Sequence, residues 1–523
     1  MTSKSNRLTS NLRYDAPAAL VVFLVALPLC LGVALASGVP LFSGIIAGAV
    51  GGIVVSSLSR SPLSVSGPAA GLTVIVVGAV QKLPTFEAFL LAVFLAGAIQ
   101  ILLGVARAGI IGDFIPSSVI KGMLAAIGLI LILKQVPHAV GYDRDYEGDI
   151  SFQQLDGENT FSSLWHLLDQ QFTPGAILIA LISLVFLFWW DGSSLRKKPV
   201  LQYVPGPLVV VVFGIAANMF FHSMLPSIAI TPEHLVSIPV SASYQEFLGQ
   251  FRFPDFSMIL NRDVWISAVT IGVVASIETL LSIEAVDKLD PYKRVTPTNR
   301  ELFAQGVGNM TAGLIGGMPV TSVIVRSSAN VDSGARTRMS AILHGVLLLV
   351  CVIAIPTLLN QIPLSALAAI LIAVGYKLTK PQVFFNKYKK GWAHLIPFLV
   401  TIVAILLTDL LVGIGVGLLV GGLFVIINNY HSALLHVQEG KNHLIRFKKD
   451  MSFMHKYELK RILQAIPDDS NLLIDISGTT FIDLDNIEII NDFIETAHFK
   501  NIVVTVRQPE GQNGQVIKQF AEQ

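Results

Sequence analysis

Two charged residues stand inside apolar stretches of the sequence, where an unpaired charge is costly. Glu278 lies in VVASIETLLSIEAV and Arg326 lies in VTSVIVRSSANV. A buried carboxylate must take up a proton or bind a cation, whereas a buried guanidinium attracts an anion. Ser282 shares the helical face of Glu278 at i+4 and adds an oxygen of the kind that hard cations bind. These residues predict a site for an anion and a coupling cation, Na⁺ or H⁺.

Each charge also has a plainer interpretation. Arg326 can extend its aliphatic stem and place its guanidinium at the cytoplasmic surface. Glu278 can serve as a structural partner of Arg326. Glu284 and Asp287 lie nearer the basic end at Lys288 and are interpreted as solvated or helix-end charges.

Two short, interrupted apolar segments must position these charges. SVSGPAAGLTVIVVGAV at 64–80 and GGMPVTSVIVRSSANV at 316–331 both place Gly, Pro and hydroxyl residues before a short apolar run. A helix that begins inside a membrane leaves N–H groups unpaired and its positive dipole end exposed, which attracts anions. The alternative is that these residues only kink packed helices. The candidate anion-binding residues are Ser66, Gly67, Thr73, Val320, Thr321, Ser322 and Arg326.

The composition is that of a polytopic α-helical membrane protein. Of 523 residues, 53% are hydrophobic and 14% are charged, and the net charge of +1 gives no global field that would attract nucleic acid. Apolar windows predict about fourteen membrane segments. They lie near 16–36, 41–58, 66–81, 87–106, 110–133, 174–190, 206–221, 262–283, 299–315, 320–330, 339–355, 363–376, 392–408 and 411–428.

The segments are organised as a repeat. The two interrupted segments lie about 250 residues apart, as do Pro28 in the first segment and Glu278 in the eighth. This spacing predicts two halves of seven segments. Because seven is odd, the second half enters the membrane from the opposite side, so the repeats are inverted. Paired interruptions in such halves indicate a transport site near the middle of the membrane.

Basic residues are concentrated in the loops after even-numbered segments, which the positive-inside rule assigns to the cytoplasm. The other side contains an acidic loop at 136–173 and few basic residues, among them Lys134. We therefore expect a multi-pass protein of the inner (plasma) membrane with both termini in the cytoplasm. His138, His222 and His234 are interpreted as ordinary surface residues of external loops.

The predicted domains are a cytoplasmic segment at 1–14, a transmembrane transport domain at 15–432 and a cytoplasmic domain at 437–523. In the last, NLLIDI and NIVVTV predict buried strands of a small soluble α/β domain. The intervening NIEIINDFIETAHFK predicts a helix with Ile487, Ile490, Phe493 and Ile494 on one face. No glycine-rich nucleotide pattern accompanies it, which favours an interaction role.

The sequence contains no HExxH pair, nucleophile elbow or Walker loop. We therefore expect no enzyme activity, no cofactor, and no bound metal other than Na⁺ at Glu278. Cys30 and Cys351 lie in apolar runs and are interpreted as packing residues.

Four stretches resemble the sulfate permease (SulP) family of anion transporters: ALPLCLG, SIETLLSIEAVDKLDP, ELFAQGVGNMTAGLIGGMPVTSVIVRSSANV and TDLLVGIGVGLLVGG. The tail is similar to the STAS domain of that family. The resemblance implies a seven-plus-seven inverted repeat, a core domain that moves against a gate domain by an elevator motion, and a homodimer. It also implies an anion site between segments three and ten, with Arg326 and Glu278 at positions that family members use.

Two positions depart from the family pattern. Leu29 follows Pro28 where many members have Gln, which removes a polar ligand and is typical of bicarbonate carriers. In the tail, DLDN at 483–486 replaces the DSSG-like phosphorylation motif of stand-alone STAS proteins.

The leading hypothesis is a secondary active transporter of a small inorganic oxyanion, bicarbonate slightly favoured over sulfate, coupled to Na⁺ or H⁺. The alternatives are a passive anion channel, a sensor or scaffold that signals to a regulatory protein through the STAS domain, and proton-coupled dicarboxylate uptake. Glu278 argues against the channel, since channel-like relatives tend to lack this acidic residue.

Overall fold

The chain divides into two compact units, residues 1–418 and 419–523. The structure, a computed structural model, describes residues 11–68, 70–142, 159–160, 162, 165, 172–193, 204–237, 244–430 and 434–507. The predicted acidic loop around 143–158, the segment 1–10 and the end of the tail lie outside the described residues.

In its described residues, the first half of the membrane unit contains seven helices and one short strand. In chain order they are α1 (Leu12–Ala36), α2 (Leu41–Val50), β1 (Ser66–Pro68), α3 (Thr73–Lys82), α4 (Phe86–Val105), α5 (Ser117–Val140), α6 (Pro174–Gly192) and α7 (Gly206–Met224). A π-helical turn at Gly51–Val55 and a last turn at Ser56–Leu58 extend α2.

The second half repeats this order and adds one short amphipathic helix. Its elements are α8 (Arg262–Leu289), α9 (Thr298–Ile315), β2 (Val320–Ser322), α10 (Ile324–Asp332), α11 (Met339–Ala354), α12 (Leu364–Leu378), α13 (Pro381–Lys389), α14 (Trp392–Leu407) and α15 (Leu410–Tyr430). Short helical turns at Tyr244–Leu248 and Pro356–Leu359 lie between these elements.

The helices account for the fourteen predicted segments. Among the described residues, eight helices are long and apolar enough to cross a membrane, and four more are apolar but shorter. The remaining two are α9, which carries many polar residues, and α10, which has only nine residues. Seven of the fourteen lie in each half, so the predicted segment count is confirmed.

Close helix contacts follow the predicted inverted repeat. A Cβ on any of six glycines would meet the backbone of a facing helix at less than 3.0 Å, so only glycine permits these approaches. The facing pairs are Gly97–Gly306 between α4 and α9, Gly52–Gly345 between α2 and α11, and Gly128–Gly375 between α5 and α12. The repeat relates α4 to α11, α2 to α9 and α5 to α12. It therefore relates the first glycine pair to the second and the third pair to itself, as an internal two-fold relation requires.

One predicted segment, 110–133, is displaced in the structure. Ile110 and Ile111 are exposed in a 3₁₀ turn at Ala108–Phe114, and α5 begins only after Pro116. The helix continues to Val140, so Lys134 and His138 are 8% and 2% exposed. Their assignment to an external loop was wrong, because the polar run around them lowers the local hydropathy without ending the helix.

The described residues of the second unit form a four-stranded sheet with the order β3–β4–β5–β6. The elements are β3 (Leu434–Glu439), β4 (Asn442–Phe447), α16 (Lys456–Gln464), β5 (Asn471–Asp475), α17 (Leu484–Ala497) and β6 (Val503–Arg507). β3 and β4 are antiparallel, whereas β4, β5 and β6 are parallel. This α/β arrangement is consistent with the expected STAS domain.

The helix face predicted for α17 is confirmed. Ile487 and Ile490 are buried, and Phe493 and Ile494 pack against the same apolar core. The assignment of NIVVTV as a buried strand was wrong: β6 lies at the edge of the sheet, and Val503 is 63% exposed. The apolar run resembles that of a central strand, and only the strand order places it at an edge.

Candidate functional site

The two interrupted segments meet directly. β1 and β2 pair antiparallel, with Ser66 opposite Ser322, Gly67 opposite Thr321 and Pro68 opposite Val320. The half-length helix α3 follows β1 through a 3₁₀ turn at Ala70–Leu72, and α10 follows β2. The sequence prediction that both helices begin inside the protein, close to one another, is confirmed. Their positive dipole ends therefore originate at one two-stranded element.

An asparagine from α9 holds β2 in place. The Asn309 side chain donates to the Val320 carbonyl at 2.9 Å and accepts from the Val320 N–H at 2.6 Å. Gln100 on α4 accepts the remaining Asn309 N–H at 2.6 Å. All three residues are fully buried, so each bond is made without competition from water.

A second set of buried polar bonds holds β1. Gln305 on α9 donates to the Ser66 hydroxyl at 2.7 Å and to the Glu301 carboxylate at 3.0 Å. Ser59, beyond the end of α2, also donates to Glu301. The Ser64 and Ser322 hydroxyls bond to each other at 2.6 Å. Polar residues of α9 thus act as the rigid support of both strands.

Arg326 lies in the first turn of α10 and is 1% exposed. Its guanidinium packs on β1 so closely that a Cβ on Gly67 would lie 2.0 Å from Nη1. The Nε and Nη1 atoms have no hydrogen-bond partner among the described residues. Because a buried cation with unused N–H groups is costly, this geometry fits an anion.

Glu278 lies near the middle of α8 and is 6% exposed. Its Oε1 approaches Gly71, where a Cβ would lie 2.9 Å away, and its Oε2 has no hydrogen-bond partner among the described residues. Glu278 and Arg326, both described, form no ion pair. The interpretation of Glu278 as the structural partner of Arg326 was therefore wrong. Arg326 is also not a surface residue, so the interpretation of its charge as lying at the cytoplasmic surface was wrong.

One cavity of about 50 Å³ lies between these two charges. That is about three to five times the 10–15 Å³ that one water molecule requires. The cavity therefore has room for an ion of four or five heavy atoms. Its lining combines charged and polar groups with apolar walls: Leu29, Val33, Pro68, Ile127, Ile130, Leu131, Lys134, Gln135, Glu278, Ser282, Val323, Ile324, Val325, Arg326 and Leu410.

The structure divides the sequence-predicted residues into three groups. Glu278, Ser282 and Arg326 line the cavity. Ser66 and Ser322 use their hydroxyls in the bonds that hold the strands, and both backbone groups of Val320 are bonded to Asn309. The two backbone groups of Val320 are thus occupied, whereas the Ser66 hydroxyl accepts the Gln305 bond and keeps its own hydrogen for a further acceptor.

The other three predicted residues are not among the described residues that line the cavity. Gly67 is covered by the Arg326 guanidinium. The Thr73 and Thr321 hydroxyls are buried and have no hydrogen-bond partner among the described residues. Thr321 and Gly67 face each other across the strand pair, and the missing side chain of Gly67 lets Arg326 approach the backbone.

Sequence reasoning missed Lys134 and Gln135, which line the cavity from α5. Gln135 is 2% exposed, and its Oε1 has no hydrogen-bond partner among the described residues. The available signal was a polar pair in an otherwise apolar helix, but a low-hydropathy window suggested that the helix ended there. Only the packing of α5 against the first-half and second-half helices shows that these side chains face Glu278 and Arg326.

Two inverted halves that bring paired half-helices to a buried, charged cavity define a membrane transporter rather than an enzyme. The sequence pattern of the sulfate permease family matches residues 12–404, and the chain belongs to that family. It is an anion transporter of this family with multiple membrane segments.

Curated relatives cover most of the chain. A putative sulfate transporter, YvdB, of Bacillus subtilis is 28% identical over 453 residues, which is 85% of this chain and 79% of the relative. The bicarbonate transporter BicA of a Picosynechococcus species is 25% identical over 424 residues, which is 80% of this chain and 70% of the relative.

Two solved structures share the fold. The murine Solute Carrier 26 member A9 anion transporter, in an inward-facing state, superposes with a TM-score of 0.67 at 14% identity, covering 97% of this chain and 86% of that chain. The transmembrane domain of a cyanobacterial BicA superposes with a TM-score of 0.53 at 24% identity, covering 79% and 98%.

Proposed function

We propose that this protein is a secondary active transporter that moves a small inorganic oxyanion, bicarbonate or sulfate, with Na⁺ or H⁺ as the coupling ion. The single observation that carries the proposal is that Arg326 and Glu278 line one buried cavity. Among the described residues, two guanidinium nitrogens of Arg326 and one carboxylate oxygen of Glu278 have no hydrogen-bond partner. The first group attracts the anion and the second takes the cation.

The cavity favours a small anion over a dicarboxylate. A volume of about 50 Å³ holds about three to five water-sized groups, which suits a compact oxyanion better than the longer, two-ended succinate. Leu29 and Val33 line the cavity with apolar side chains, which offer no hydrogen bond to a bound anion. We infer a slight preference for bicarbonate, which needs fewer polar partners than the dianion sulfate.

Glu278 supplies the coupling. Neutralisation of its carboxylate, by a proton or by Na⁺, removes a negative charge from the cavity that would otherwise repel the anion. Ser282 and the unpartnered Oε1 of Gln135 line the same cavity and offer further oxygens to Na⁺. Bicarbonate and one Na⁺ or H⁺ carry opposite unit charges, so the site with both ions bound has the same net charge as the site without them, and the two ions can cross together without exposing an uncompensated charge.

Uptake into proteoliposomes tests the proposal. Labelled bicarbonate, sulfate and succinate are offered with a Na⁺ gradient, with a pH gradient, and with neither. We expect gradient-driven accumulation of bicarbonate or sulfate and none of succinate. Absence of uptake of all three anions would reject the substrate class, and accumulation of succinate would select the dicarboxylate alternative.

The channel alternative predicts a different result. Passive, non-saturating flux that survives Glu278→Gln would identify a channel, whereas a transporter should lose accumulation in that variant.

The resemblance to the family also suggests how the protein moves and assembles. We propose an elevator motion in which a core of α1–α4 and α8–α11, with both strands, moves against a gate that includes α5 and α12. The residues that line the cavity come from both groups, which supports this division. We also propose a homodimer in the inner (plasma) membrane, cytoplasmic termini, and a regulatory protein partner for the second unit.

A further inference from the structure

A second cavity lies away from the anion site and is lined by lysines. Its volume is about 190 Å³, and α5, α8, α12 and α13 contribute to its lining. Five side chains bring ammonium groups to it: Lys121, Lys288, Lys377, Lys387 and Lys390. The other lining residues are Leu124, Leu289, Leu378, Val383 and Asn386, so no acidic residue of the described part of the chain lines the cavity.

Nearby carboxylates compensate only part of this charge. Lys288 pairs with Glu284 at 2.8 Å, and Lys377 pairs with Asp191 at 2.7 Å and Asp332 at 3.9 Å. The remaining three lysines of the cavity form no ion pair with a described acidic residue. They are Lys121, Lys387 and Lys390.

Lys387 is the most unusual of the three, because it is 4% exposed. Its ammonium donates to the Ser118 hydroxyl at 2.9 Å, a neutral acceptor. A buried ammonium normally has a charged partner, whereas the other charged residues that line this cavity, among those described, are all lysines. Repulsion among these groups disfavours the empty cavity and favours a ligand that carries several negative oxygens.

We propose that this lysine cavity binds a phosphoryl group, either free phosphate or the headgroup of an anionic phospholipid. A phosphoryl group has several acceptor oxygens and more than one negative charge, which suits several point-charge donors arranged around a space. The lysines come from α8 on one side and from α5, α12 and α13 on the other. A bound phosphoryl group therefore bridges these helices. It is distinct from the transported anion, because Arg326 and Glu278 do not line this cavity.

Binding to the full-length protein in a neutral detergent tests the proposal. One titration uses inorganic phosphate against sodium chloride at constant ionic strength. A parallel titration uses short-chain phosphatidylglycerol against short-chain phosphatidylcholine. Saturable binding of phosphate alone identifies a soluble source, and binding of phosphatidylglycerol alone identifies a lipid source.

The matched variants are Lys387→Gln with Lys390→Gln, and Lys389→Gln as the control. Lys389 is exposed on the same helix and does not line the cavity. At about fivefold in affinity per lysine, the double variant should bind about 25-fold more weakly, and the control within about twofold of wild type.

Thermal stability gives a second readout that does not depend on binding. Without phosphate, Lys387→Gln should unfold at the same or a higher temperature than wild type, because it relieves repulsion and keeps a donor for Ser118. Equal affinity of wild type and the double variant for both probes would overturn the proposal, as would no saturable binding of either probe. A lower unfolding temperature of Lys387→Gln without ligand would also count against it.

Discussion

Gly67→Ala should move the Arg326 guanidinium while leaving the fold intact. The added Cβ would lie 2.0 Å from Nη1 and 2.9 Å from Cζ, whereas ordinary contact begins at 3.4 Å. The guanidinium must therefore retreat from 2.0 Å to at least 3.4 Å, a displacement of about 1.4 Å. The atoms nearest to the added methyl group belong to the flexible end of one side chain, so the backbone need not shift.

The displaced guanidinium should bind the anion more weakly. A charge-assisted hydrogen bond contributes about 1.5–3 kcal/mol, so its loss should weaken apparent anion affinity by about 10–150-fold. The unfolding temperature should fall by only a few degrees at most. Initial uptake rates in proteoliposomes over a range of anion concentrations measure the KM, and a parallel thermal scan measures stability.

Gly78→Ala is the matched control for Gly67→Ala. Gly78 lies in α3, and a Cβ there has no atom within 4 Å. Alanine in a helix is favoured over glycine by about 0.5–1 kcal/mol, so this variant should transport normally and be slightly more stable. A wild-type KM in Gly67→Ala, with wild-type expression, would refute the role assigned to Arg326.

Three further outcomes follow from the described contacts. Glu278→Gln should abolish gradient-driven accumulation, while the variant still binds the anion. Uptake into proteoliposomes with and without a Na⁺ or pH gradient measures the accumulation. Retained accumulation would exclude Glu278 as the coupling site. Asn309→Ala leaves the Val320 N–H and carbonyl without their partner, which should lower the free energy of unfolding by about 1–3 kcal/mol per unsatisfied group. A thermal scan should show this loss as a lower unfolding temperature. The control Thr311→Ala removes a hydrogen bond within α9 and should lower the free energy of unfolding by less. In the second unit, hydrogen bonds from Ser477 and Arg446 lower the pKa of Asp475 from 3.8 to about 2. The charged carboxylate therefore stabilises the folded sheet above pH 3.8, and this contribution is lost as the pH falls toward 2. Asp475→Asn should accelerate amide exchange in β5 at pH 7, and the difference from wild type should shrink on acidification; a constant difference would contradict the assignment.

Much of the membrane architecture could be predicted because it depends on local sequence. Apolar length identified the segments, and Gly, Pro and hydroxyl residues before short apolar runs identified the two interruptions. Charges in apolar surroundings are visible in a sequence, so Glu278 and Arg326 could be selected without a structure. The spacing of about 250 residues predicted the inverted repeat, which the glycine pairs Gly97–Gly306 and Gly52–Gly345 display.

The roles of the hydroxyl residues could not be predicted in the same way. Ser66 and Ser322 have the residue types of an anion site, but Gln305 and Ser64 engage their hydroxyls. These partners lie 239 and 258 residues away in the chain. Whether a hydroxyl is free depends on which distant side chain reaches it, and sequence spacing contains no such information.

The sequence by itself determined the class of the protein, the two broken helices and the two charges that must be buried. Only the tertiary structure decided that Glu278 and Arg326 face one cavity without pairing, that Lys134 and Gln135 join them, and that lysines from four helices surround a second cavity. The physical reason is that burial of a charge is decided by local apolarity, whereas its partners are decided by how separate helices pack.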